Sequence, residues 1–198
     1  MLEYPSPGRR KIPPPEFSEF PEKDVENSIV RRFEHIAGMY PGQVAVRAGS
    51  RSLTYVELDR AANRVAQSLL AKCGTSPQPV GLLLGDQCDE IAAILGILKA
   101  GKFYVPMDPS HPFERLSSLL ENSQTCFILT DATYAPLAMK LAPGESRVSR
   151  IEDLDSTSSE TFQTISSTAD SLAAIFIPRE RLAIPKASST AIGACCTG

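Results

Sequence analysis

Between residues 80 and 141 short apolar runs alternate with helical stripes, and no other feature of the chain restricts its fold as much. Residues 80–84 form an apolar run closed by Gly85. Ile91, Ile94, Leu95 and Leu98 then mark one helical face ending at Gly101, and residues 103–107 are strand-like again. The turn Asp108, Pro109, Ser110, His111, Pro112 hands over to a helix through Leu116, Leu119 and Leu120, followed by a strand at 126–130 and a weaker helical pattern at 134–141. Strands separated by helices with such short connections pair in parallel through right-handed crossovers. The expected class is α/β, a layered sheet with helices on its faces.

Upstream, Asp24 is a candidate N-cap for a helix carrying Val25, Ile29, Phe33 and Ile36 as far as Gly38, with Pro41 beyond as a stop. Val44, Val46 and Ala48 alternate with polar or small neighbours, Gly49 and Ser50 supply a turn, and residues 52–55 return as a second strand. Thr54 and Glu57 stand in capping-box relation, and Tyr55, Leu58, Ala62, Val65 and Leu69 follow on one helical face that ends near Gly74.

The rest divides the chain into three parts. Residues 1–22 hold six prolines and few aliphatics and read as an extended lead-in; 23–187 carry the periodic elements; 188–198 are small, polar and patternless, a frayed tail. Within the middle part, residues 153–170 are rich in Ser, Thr and acids and read as an exposed connection to one last apolar strand at 172–177.

A formal net charge of -3 gives no broad basic surface for nucleic acid or an anionic membrane, and no stretch is long and apolar enough to span a bilayer, so a soluble, cytoplasmic protein is expected. The five cysteines, Cys73, Cys88, Cys126, Cys195 and Cys196, show no paired metal spacing and read as ordinary reduced thiols. His35 reads as a helix-surface residue and His111 as a turn residue, while Asp86, Asp89 and Glu90 suit the positive end of a helix. No metal site is expected. Dinucleotide-binding, nucleophile-elbow and Walker-type glycine motifs do not occur.

Two motifs carry a resemblance. Leu53-Thr54-Tyr55-Val56-Glu57-Leu58, followed by Ala62-Asn63-Arg64-Val65-Ala66, resembles the first signature of the amino-acid adenylation domains of nonribosomal peptide synthetases. These belong to the adenylate-forming (AMP-dependent) ligases. Leu98-Lys99-Ala100-Gly101-Lys102-Phe103-Tyr104-Val105-Pro106-Met107-Asp108-Pro109, continued by His111, Pro112 and Arg115, resembles the second, with His111 where a Tyr is usual. Both are architectural, because the second run must end a helix at Gly101 and turn into a strand stopping at Pro106. The resemblance implies the N-terminal part of that ligase fold, incomplete here.

In that family, the strand matching residues 172–177 leads into a Thr/Ser/Gly loop with Pro-Lys-Gly that embraces the ATP phosphates. Here the aligned residues are Pro178-Arg179-Glu180-Arg181-Leu182-Ala183-Ile184-Pro185-Lys186-Ala187. Glycines and hydroxyls that let backbone N–H groups approach phosphate are missing, Pro178 removes a donor and Glu180 adds negative charge. Arg179 and Arg181 read as a solvated surface. Lys186, a remnant of the pattern, is the only candidate cofactor-binding residue, and no catalytic residue is nominated.

The resemblance implies ATP-dependent activation of an amino acid to aminoacyl-AMP, with Mg²⁺, and transfer to phosphopantetheine on a neighbouring carrier domain. With this loop the chain alone is expected to bind neither ATP nor Mg²⁺ well and to be inactive. Three alternatives stand beside it. The break after Ile177 fits a missed intron or frameshift, a non-catalytic interaction scaffold would need no loop, and a protein partner could complete the fold.

Overall fold

Why the elements form where they do is visible in their ends. The computed structural model describes residues 27–125, 127–144, 147–154, 162, 164–165 and 171–177. Helix α1 (Ile29–Met39) starts at Ser28, whose side chain accepts the Arg31 N–H. Ser28 and not Asp24 is therefore the N-cap; Asp24 and Val25 lie outside the described residues. Gly38 sits inside the helix. Strands β1 (Val44–Ala48) and β2 (Arg51–Thr54) form the expected antiparallel hairpin. Helix α2 (Tyr55–Cys73) opens on the capping box of Thr54 and Glu57 and closes at Gly74.

The main sheet is built from β3 (Pro79–Leu83), β4 (Phe103–Pro106), β5 (Phe127–Thr130) and β6 (Val148–Arg150), with α3 (Gln87–Lys99), α4 (Phe113–Ser123) and α5 (Ala135–Leu141) as crossovers. All pairs are parallel and the order is β4-β3-β5-β6. Strand β6 and the short 3-10 helix Ile151–Asp153 carry no period legible in the sequence.

Side-chain alternation sorts the core into two layers. Val80 and Leu82 of β3 and Phe127 and Leu129 of β5 meet Val65, Ala66 and Leu69 of α2 and Ala93 and Ile97 of α3. Leu83 and Ile128 point the other way, toward Leu116 and Leu120 of α4 and Ala138 of α5. A third cluster on the far side of α2 and α3 joins Leu58, Ala62, Ala92 and Leu95 to Phe33 and the hairpin. Helix α3 is thus enclosed on both sides, which explains its nearly continuous burial where the sequence suggests a single stripe.

The connection after residue 153 is not simply exposed. Phe162 packs on the core, Ile165 donates its N–H to the Lys99 carbonyl at 3.0 Å, and Thr164 hydrogen-bonds Glu34. The lead-in 1–22 and the tail 188–198 lie outside the described residues.

Candidate functional site

Ligands of parallel α/β sheets gather at the carboxyl ends of the strands, beside the point where the crossovers change direction. Here that point falls between β3 and β5, where the Gly85 N–H donates to Asp131 Oδ2 at 2.7 Å and the Tyr134 N–H donates to Asp131 Oδ1 at 2.9 Å. A Cβ on Gly85 would come within 2.9 Å of the Tyr134 ring. Asp131 thus ties the ends of β3 and β5 together at this crevice.

The outer end of the sheet is open. Residues 172–177 return across the sheet to the free edge of β4, the Tyr104 N–H donating to the Ala173 carbonyl and the Ile175 N–H to the Tyr104 carbonyl, each at 3.0 Å. This is a single parallel bridge, Tyr104 to Ala174, and not the full strand that the apolar run suggests. Phe176 presents its ring edge-on to Tyr104, with centroids 6.5 Å apart.

Beyond Pro106 the chain turns. Asp108 accepts the Ser110 N–H through Oδ1 at 2.9 Å and the His111 N–H through its carbonyl at 3.0 Å, and α4 starts after Pro112. Hydrogen bonds from Ser110 hold the Asp108 carboxyl below its ordinary value, with His111 and Arg115 adding positive potential. Between this turn and residues 175–177 lies a cavity of about 170 Å³, whose walls include Pro106, His111, Arg115, Leu119, Ile175 and Ile177. His111 thus sits in the expected turn and also lines this cavity.

The second motif also buries two lysines. Lys99 is 1% exposed and donates to Glu34 at 2.9 Å, Asp59 at 2.8 Å and Asn63 at 2.8 Å, joining α1, α2 and α3. Lys102, equally buried, donates to the carbonyls of Gly74 and Ser76 just past the end of α2. Sequence reading missed both. The available signal was a lysine on each side of a helix-ending glycine within an otherwise apolar run.

Lys186 and the whole stretch 178–187 lie outside the described residues, so the structure does not place the candidate cofactor-binding residue. His35 is exposed on α1. Asp86 caps α3, and with Asp89 it holds Arg51, whose guanidinium is bound at 2.7 Å by Asp89 and raised above its ordinary pKa chiefly by that bond. Cys88 is buried and Cys73 half-buried, both as free thiols; Cys126, Cys195 and Cys196 lie outside the described residues. Among the described residues no three His, Cys, Asp or Glu side chains stand together as metal ligands, and no helix is long and apolar enough to cross a membrane.

A larger open groove of about 910 Å³ runs between α2 and the β6 edge, past Arg64, Gln67, Lys72, Met139, Ser149 and Arg150. Lys72 donates to Ser149 and lies over the Phe127 ring, so its charge is already engaged.

Comparison with known proteins gives consistent matches. The family model described as "AMP-binding enzyme" matches residues 33–192. Phosphinothricin tripeptide synthetase PhsC of Streptomyces viridochromogenes is 44% identical over 102 residues, covering 52% of this chain and 9% of that protein. Tyrocidine synthase 1 of Brevibacillus parabrevis is 37% identical over 129 residues, 65% of this chain and 12% of the other. The AMPPNP-bound crystal structure of the nonribosomal peptide synthetase FmoA3 superposes with a TM-score of 0.69 at 29% identity, covering 83% of this chain and 17% of that one. The chain thus spans less than a fifth of the length of each of these proteins.

Proposed function

The chain belongs to the AMP-binding enzyme family, as an N-terminal part of a nonribosomal peptide synthetase adenylation domain, and we propose on that premise that it supplies the scaffold of an amino-acid-activating site without turning over by itself. In the proposed division, residues 1–22 lead in, 23–187 form the adenylation segment and 188–198 are a tail. The intact domain's reaction would be attack of an amino-acid carboxylate on the α-phosphate of ATP, giving aminoacyl-AMP and pyrophosphate, followed by transfer to phosphopantetheine on a carrier domain.

The observation that carries this reading is the pairing of residues 173–175 with Tyr104, which delivers the chain at Ile177 to the carboxyl end of the sheet, where the family's phosphate loop begins. The residues present do not fit ATP and Mg²⁺ well. The stretch 178–187 lacks the glycines and hydroxyls that cradle phosphate, with Lys186 the one remnant, and no described carboxylate cluster suits a hard cation. What this chain's residues do is position: Lys99 and Lys102 fix the helices behind the sheet, and β4 fixes the approach to the loop.

A segment-exchange experiment tests the reading. The chain alone should show no ATP–pyrophosphate exchange. A working adenylation domain in which residues 33–177 of this chain replace the equivalent segment should retain exchange, and one carrying 33–187 should lose it. Exchange by the chain alone, or loss in both chimaeras, overturns the reading. A second reading, a non-catalytic interaction scaffold, is favoured by Leu172 and Phe176, 55% and 71% exposed along the outer edge of residues 172–177. It predicts a stable complex with another polypeptide and inactivity in both chimaeras.

A further inference from the structure

Residues 172–177 end the described sheet with their outer edge open. Their inner edge is occupied by β4, the Ala173 carbonyl accepting from the Tyr104 N–H and the Ile175 N–H donating to the Tyr104 carbonyl. Peptide groups alternate along an extended chain, so the N–H and carbonyl of Ala174, the Leu172 carbonyl and the Phe176 N–H face outward, and among the described residues none of these groups has a partner. The same alternation puts the Leu172, Ala174 and Phe176 side chains on one face, with Leu172 and Phe176 exposed. No residue from 171 to 177 carries a charge. At the other end of the sheet β6 runs beside Arg64, Lys72 and Arg150, cations of the kind that keep an edge from pairing.

The open edge is complementary to itself. When two copies cross antiparallel about Ala174, the two Ala174 residues exchange N–H···O bonds, each Phe176 N–H reaches the other copy's Leu172 carbonyl, and each Leu172 side chain meets a Phe176 ring. In the sequence Asp170 precedes this edge and Arg179 follows it. An antiparallel crossing therefore brings opposite charges together at both ends, where a parallel one would align like with like. We propose that residues 172–177 form a twofold antiparallel interface with a second copy of this chain, joining two sheets into one. The interface is isologous and closes at the dimer. It stands on the geometry of this edge and not on the adenylation reading.

Sedimentation velocity of the full chain between about 5 and 200 µM should show a monomer–dimer equilibrium with its midpoint in that range. Ala174→Pro deletes an outward N–H and leaves both bonds to Tyr104, a change that an edge strand tolerates. It should weaken dimerisation about tenfold or more without moving the thermal midpoint of the dilute protein. Leu172→Glu alone and Phe176→Lys alone should each stay monomeric, and mixing the two in equal amounts should give a heterodimer, since this register sets the new acid of one copy opposite the new base of the other. A chain that remains monomeric at the highest concentration overturns the interface and leaves the edge to a different polypeptide. A dimer indifferent to Ala174→Pro, or single variants that do not recover on mixing, overturns it as well. None of these outcomes alters what the chimaeras report on adenylation.

Discussion

The ammonium of Lys99 lies 2.8 Å from the Asp59 carboxylate and 2.9 Å from that of Glu34, so a single buried cation separates two acids on different helices. Replacing it by Met keeps most of the volume and leaves the acids facing each other. Their side chains are 34% exposed for Glu34 and 28% for Asp59 and can recover some hydration, so the cost should fall below that of a fully buried pair, about 2–3 kcal/mol. Urea unfolding of Lys99→Met measures it, and adding Glu34→Gln and Asp59→Asn should restore part of the loss. An unchanged midpoint would remove Lys99 from the account of stability.

Gly96 marks the closest approach of α2 and α3. A Cβ there would stand 2.5 Å from Val65 Cβ and 2.6 Å from the Ala62 carbonyl oxygen, so Gly96→Ala must push the helices apart. Overpacking should outweigh the gain in helix propensity and cost about 1–3 kcal/mol. Gly38→Ala in α1, with nothing within 4 Å, should be neutral or stabilising by up to about 1 kcal/mol. Thermal melts should show a lowered midpoint for Gly96→Ala and an unchanged or raised one for Gly38→Ala.

The Thr54–Glu57 capping box gives a dependence on acid. Backbone and side-chain hydrogen bonds from Thr54 hold the Glu57 carboxyl below its ordinary value. A group with a depressed folded-state pKa takes up more protons when unfolded. Its contribution is therefore complete above the ordinary glutamate pKa, about 4.3, and disappears as pH falls through the lower folded value. Thr54→Ala should cost about 1 kcal/mol at neutral pH and flatten the fall of stability below about pH 4. Identical slopes in the two proteins would show that the box does not contribute.

Gly101 has φ 66° and would bring a Cβ within 3.0 Å of Ile165 Cγ2. Gly101→Ala should lower stability by about 1–2 kcal/mol, and hydrogen exchange at the Ile165 N–H should accelerate more than elsewhere, because the substitution strains both the turn and the segment docked on it.

The periodic part of the fold was legible because strands and crossover helices announce themselves by spacing: the capping box, Gly74 and Gly101 gave helix ends to within a residue or two. What escaped depends on contacts distant in sequence. Strand β6 exists because Val148 finds a place beside Ile128, and its three residues have no period to show. Lys99 and Lys102 drew no structural reading because their partners, Glu34, Asp59 and the carbonyls after α2, are brought in by folding. Asp24 lost the helix start to Ser28, which stands immediately before the first helical residue. At the site, the sequence identified His111 as a turn residue but not its place beside Arg115, since that depends on residues 175–177 returning to β4.

That return bridges Tyr104 to Ala174, seventy residues further along, through backbone hydrogen bonds with Ala173 and Ile175 and a ring contact with Phe176. So thin a contact at the sheet's edge should be among the first parts of the sheet to open when the chain fluctuates. The stretch beginning at Pro178 therefore follows directly on the most thinly paired described segment of the sheet.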